Sequence, residues 1–143
     1  MRAEDFDRNQ TLEQLISKSQ KENWNLLNGR AWQLFQKPLN EFSKDDLRFM
    51  IERETGLEFL IPVAIDILAE NPLARGIYYG AGDLLHSVLN IAPAFWKENP
   101  NLWFEVEEIA YDAELLVEYF QKNVAPALKN FRQSAPTQLP ENE

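Results

Sequence analysis

The chain has 143 residues, 45% of them hydrophobic and 12% aromatic, with four Trp and nine Phe. That is enough apolar bulk for one folded domain with a sizeable core, and too much for a disordered chain. It has no cysteine, which excludes disulfides, thiolate metal sites and thiol catalysis, and its formal charge of -9 argues against binding nucleic acid through phosphate neutralisation.

The start, 1–10, is expected to be flexible. Thr11 reads as an N-cap with Gln14 three residues on, opening a first helix. A second helix is predicted over Arg30 to Gln36, with Ala31, Leu34 and Phe35 inward, stopped by Pro38. Ser43 with Asp46 is a stronger start signal, because a carboxylate at the third helical position also meets the positive helix end. Leu47, Met50 and Ile51 follow at helical spacing, and Gly56 ends that helix or turns the chain. From Leu57 to Ala69 apolar residues cover most of the wheel, which predicts a central, deeply buried helix. Pro62 then belongs in its first turn, or else kinks it.

Leu73 to Gly82 reads as an irregular connection holding three of the five glycines. Asp83 is the expected cap of a short helix over Leu84 to Leu89, and Pro93-Ala94-Phe95-Trp96 is expected to offer two aromatics to the core. The longest helix is predicted from Pro100 or Asn101 to about Asn123. Its apolar positions, Leu102, Val106, Ile109, Ala113, Leu116, Phe120 and Val124, recur in steps of 4, 3, 4, 3, 4, 4. Pro126 is expected to interrupt it, leaving one more turn over Ala127 to Gln133 and a disordered tail over 134–143. No strand alternation appears. The pattern predicts an all-α fold: a compact irregular bundle of six to seven helices in a single domain over 11–133.

Charge is distributed unevenly. Between Glu58 and Glu118 eleven carboxylates face only Arg75 and Lys97, so this stretch carries the whole net charge of the protein. Six acids fall from Glu105 to Glu118, with no Lys or Arg among them. Like charges on one helix repel, so the cluster is a mild cost to the fold. The acids read as lying opposite the apolar stripe, with Tyr111, Leu115 and Tyr119 interspersed. Tyr is enriched at binding hot spots, so this face is a candidate partner surface: Glu105, Glu108, Tyr111, Asp112, Leu115, Glu118 and Tyr119. A solvated face is the plainer reading of the acids, and the alternative for Tyr111 and Leu115 is packing against the N-terminal helix.

Catalytic and cofactor chemistry find little support. His86 is the one histidine and reads as a packing or surface residue, with no nucleophile elbow around any serine. Glu108 and Asp112 lie one turn apart, as in carboxylate metal sites, but the matching Glu-x-x-His motifs are missing. Gly76-x-x-x-Gly80-x-Gly82 lacks the Lys-Ser/Thr of a phosphate loop and follows no strand. No enzyme activity, metal or cofactor is expected. No run approaches the roughly 18 apolar residues a membrane helix needs, and residues 1–20 lack an apolar signal core. A cytoplasmic protein with neither membrane nor nucleic-acid partner is the expectation.

The middle of the chain resembles a family. Lys37-Pro38-Leu39-Asn40-Glu41-Phe42, Asp45-Asp46-Leu47-Arg48, Gly56-Leu57-Glu58-Phe59-Leu60-Ile61-Pro62-Val63-Ala64, Glu70-Asn71-Pro72-Leu73-Ala74, Gly82-Asp83-Leu84-Leu85 and Phe95-Trp96 occur in that order. From Pro38 to Trp96 this is similar to a small all-helical group of bacterial contact-dependent growth inhibition (CDI) immunity proteins. The resemblance implies an antitoxin in the cytoplasm that binds the toxin domain of a large surface exoprotein, often a nuclease with a basic groove. It points to no contact residue, since the shared residues are mainly apolar, Pro and Gly. A helical adaptor or regulator with an unrelated intracellular partner is the alternative.

Overall fold

The computed structural model describes residues 6–16 and 29–136. Over these the architecture is all-α, as expected. In chain order it has α1 (Leu12–Ile16), α2 (Gly29–Phe35), a 3-10 turn (Leu39–Glu41), α3 (Lys44–Glu52), α4 (Leu57–Glu70) and α5 (Asp83–Leu89). Then come α6 (Pro93–Glu98), α7 (Pro100–Tyr119), a π-helical segment (Phe120–Val124) and α8 (Ala125–Gln133). Among the described residues no strand forms, and Ile77-Tyr78-Tyr79 is irregular; an isolated antiparallel bridge pairs Thr11 with Pro38. The chain divides into two units, Met1–Ala110 and Tyr111–Glu143.

In the first unit the helix starts follow local chemistry. The Gln14 N–H donates to the Thr11 hydroxyl at 3.1 Å, and the Thr11 N–H donates to the Gln14 side-chain oxygen at 3.0 Å. Two donors that a helix start leaves orphaned are thereby satisfied. Thr11→Ala removes one of these acceptors and is expected to cost about 1 kcal/mol, read as a lower midpoint in thermal unfolding. The same reciprocal pairing joins Ser43 and Asp46 at the start of α3, both bonds at 3.0 Å. Gly56, with φ +69°, turns the chain from α3 into α4. A Cβ there would also meet Leu12 Cδ2 at 2.7 Å, and Leu12 is fully buried, so both backbone and space require glycine.

Helix α4 is the central helix its composition predicts, burying Leu57, Leu60, Ile61, Pro62, Val63, Ala64, Ile65 and Leu68. Helix α3 packs on α4 and α5, and Leu47, Met50 and Ile51 of α3, like Leu84 and Val88 of α5, are fully or almost fully buried. Pro62 sits in the second turn of α4 rather than the first. Having no N–H, it leaves the Glu58 carbonyl without its intrahelical partner.

Other expectations are corrected. Residues 7–10 do not hang loose: Asn40 N–H donates to the Arg8 carbonyl at 2.9 Å, Leu39 N–H donates to the Gln10 carbonyl at 3.1 Å, and Arg8 pairs with Asp66 at 2.7 Å. The expectations for 1–5 and 137–143 lie outside the described residues. Gly82, with φ +90°, precedes α5, and Asp83 is its first helical residue rather than its cap. The Asp83 carboxylate accepts instead from the Gly76 N–H, at 3.3 Å to each oxygen. Helix α6 buries none of its residues, so Phe95 and Trp96 stay half-exposed, stacked edge-to-face with centroids 5.1 Å apart.

In the second unit Pro126 does not stop the helix. The Ala125 N–H reaches back five residues to the Phe120 carbonyl, and Pro126 falls in the first turn of α8. A proline ring crowds the carbonyl four residues earlier. Widening the helix just before Pro126 relieves that crowding and lets helical backbone continue to Gln133.

Candidate functional site

Helix α7 carries most of the candidate surface. In the first unit its inward stripe is Leu102, Val106 and Ile109, each at most 8% exposed, as the four–three spacing predicts. Glu107 and Glu108 are exposed, whereas Glu105 is half-buried. Glu105 was expected opposite the stripe. At 100° per residue it stands only about 60° from the stripe's centre, which explains its partial burial, and it lines a hollow with Phe6, Glu58, Phe59 and Glu98. Glu108 lies about twice as far round and projects fully.

The sequence reading missed a second feature of α7. Trp103 and Phe104 are 43% and 63% exposed, packed edge-to-face with centroids 4.9 Å apart. With Leu89, Ile91, Pro93 and Trp96 they line an apolar groove of about 540 Å³. Lys97 and Glu107 also line it. The signal was present in the sequence: two adjacent aromatics stand beside Leu102 but off the stripe that runs from it. An aromatic pair that the core does not use is an ordinary component of a binding surface.

In the second unit, Tyr111, Leu115 and Tyr119 are 56%, 44% and 63% exposed, and Asp112, Glu114 and Glu118 are exposed as well. The Glu118 carboxylate is not unopposed: Lys122, one turn on, pairs with it at 2.8 Å. The stripe itself departs from expectation. Ala113 is buried, but Leu116, Phe120 and Val124 are 49%, 49% and 38% exposed.

Residues 11–106 match the family model for CDI immunity proteins. The chain belongs to the CDI immunity protein family. No curated protein and no solved structure matches it. The family segment runs from the Thr11 cap to Val106, so it takes in most of the core and nearly all of the Trp103–Phe104 groove. Of the candidate contact residues it includes only Glu105; Glu108, Tyr111, Asp112, Leu115, Glu118 and Tyr119 lie beyond it. The family thus accounts for the scaffold and leaves the rest of the acidic surface to this chain's own sequence.

The remaining constellations are structural. Two backbone donors of the glycine connection, of the kind a phosphate loop would offer to an anion, are taken by carboxylates. Ile77 N–H donates to Asp45 at 2.9 Å, and Gly76 N–H donates to Asp83. This pins the backbone beneath Ile77, Tyr78 and Tyr79, which are 77%, 74% and 57% exposed, and the Arg48 guanidinium lies 4.0 Å from the Tyr79 ring centre. His86 is exposed, with a ring nitrogen 3.2 Å from the Asn90 amide, and the neighbouring Ser87 hydroxyl donates to Glu52 at 2.9 Å. Among the described residues no group of three His, Asp or Glu side chains could hold a metal ion, and no helix is long and apolar enough to cross a membrane.

Proposed function

We propose that this immunity protein binds and neutralises the toxin domain of its cognate CDI exoprotein, one to one, in the cytoplasm and without catalysis. The contact runs along α7: Glu105, Glu108, Asp112 and Glu118 meet cationic side chains, and Tyr111, Leu115 and Tyr119 supply the apolar anchors. The observation that carries this reading is a run of six carboxylates from Glu105 to Glu118 with no Lys or Arg among them, all but Glu105 exposed, on a member of an immunity family. Such a field accelerates encounter with a basic surface and disfavours acidic competitors. A nuclease fits best, since its groove must be cationic to hold phosphates.

The test is titration calorimetry of the chain against the toxin domain encoded beside it. The double reversal Glu108→Lys with Asp112→Lys is expected to weaken binding by about 100-fold and to flatten the salt dependence of the association rate. Both side chains are exposed, so the thermal midpoint should hold. Unchanged affinity at moderate salt would show that α7 does not carry the contact.

A further inference from the structure

Resting on the toxin-binding reading above, we infer that the Trp103–Phe104 groove seats a large apolar side chain of the toxin domain, flanked on the toxin by one acid and one base. The groove measures about 540 Å³, inside the range of concave sites that hold a ligand. It is fixed before anything binds. Glu54 stands at φ +54°, a conformation that costs a non-glycine residue free energy. Its carboxylate accepts from the Ala92 N–H at 3.0 Å, at the start of α6. At the other end of α6 the Asn99 side-chain amide donates to the Phe95 carbonyl at 2.8 Å. A wall held in this way loses little freedom on binding.

The groove's own charges select the occupant. Lys97, on α6, and Glu107, on α7, both line it. Both are exposed, neither belongs to an ion pair among the described residues, and neither is among the contacts assigned to the acidic row. Lys97 is the one Lys or Arg between Arg75 and Lys122, yet it pairs with none of the acids in that stretch. An apolar occupant strips water from both side chains, and a charge without water needs an opposite charge beside it. The occupant therefore brings an acid to Lys97 and a base to Glu107. A purely apolar molecule brings neither. A second copy of this chain brings both, but two chains of charge -9 repel. A basic toxin is attracted, and the groove lies on its path. Phe104 precedes Tyr111 and Leu115 by about two and three helical turns, so one face of α7 carries all three. Trp103 and Phe104 then act as aromatic anchors at the start of the contact.

Titration calorimetry against the toxin domain encoded beside the chain tests the groove separately from the acidic row. Phe104→Ala, at a side chain 63% exposed, should weaken binding by about 10-fold and leave the thermal midpoint in place. Lys97→Glu is the sharper test. The acidic row alone predicts tighter binding, because the change makes the field that draws a basic toxin more negative. The groove predicts binding weaker by about 10-fold, with Lys97→Arg as tight as wild type. Wild-type affinity in Phe104→Ala, or tighter binding by Lys97→Glu, would overturn the inference, and the acidic row would still stand if Glu108→Lys with Asp112→Lys weakens the complex. Weaker binding in both groove variants, with no loss from that double reversal, would support the groove and remove the acidic row. Sedimentation equilibrium of the free chain closes the remaining case: a dimer that Phe104→Ala dissociates would give the groove to a second copy and overturn the inference.

Discussion

Gly76→Ala is expected to destabilise the protein by about 3 kcal/mol. The added Cβ would lie 2.0 Å from Asp45 Oδ1 and 2.4 Å from Asp45 Cγ. Asp45 cannot simply swing aside. It is 8% exposed at the start of α3, and its other oxygen holds the Ile77 N–H at 2.9 Å. Its displacement breaks that bond and strands a carboxylate among buried neighbours. Denaturant unfolding measures the loss. A double-mutant cycle assigns the cause: in an Asp45→Ala background the clash is gone, so Gly76→Ala should cost under about 1 kcal/mol. An equal cost in both backgrounds would place the strain elsewhere.

The second large effect belongs to Asp46. Burial works against its charge. The Lys37 ammonium at 2.8 Å, the Ser43 N–H and the Arg30 guanidinium at 3.2 Å outweigh burial and hold the carboxyl below its ordinary value of 3.8. Asp46→Ala removes the reciprocal cap and the shared counter-charge together. Lys37 and Arg30 are 36% and 45% exposed, so water takes them over at modest cost. Most of the loss is the cap, and the total should be about 2 kcal/mol. Because the folded carboxyl is the stronger acid, its contribution is complete above the ordinary Asp range. It fades as pH falls below about 4, through the lower folded value. Unfolding free energy should therefore be level from neutral pH to about 5 and decline below it, and Asp46→Asn should make that decline shallower.

These two carboxylates show what was legible in the sequence and what was not. Asp46 acts three residues from Ser43, within a local pattern of helix starts, and its capping role was readable. Asp45 acts on Ile77, 32 residues away, and nothing in the local pattern announces that pairing. The family resemblance from Pro38 to Trp96 was similarly legible because it rested on ordered local signals such as Gly56 before an apolar helix. Periodicity likewise placed Leu102, Val106, Ile109 and Ala113 on one buried face. It continued without change through Leu116, Phe120 and Val124, which are not covered. Spacing reports which residues share a face, and only packing reports whether anything lies against it. The same gap explains Phe95 and Trp96, whose size suggested the core although α6 buries nothing. It also explains Trp103 and Phe104, which were passed over because they fell outside the stripe.

The contact along α7 is the central claim, and hydroxyl-radical footprinting of the chain with and without its toxin domain addresses it most directly. The four tyrosines divide the surface usefully: Tyr111 and Tyr119 stand on α7, and Tyr78 and Tyr79 in the glycine connection, all more than half exposed. Toxin should suppress oxidation of Tyr111 and Tyr119 and leave Tyr78 and Tyr79 as reactive as in the free protein. Protection of Tyr78 and Tyr79, with Tyr111 and Tyr119 unchanged, would contradict the account and move the interface to the glycine connection.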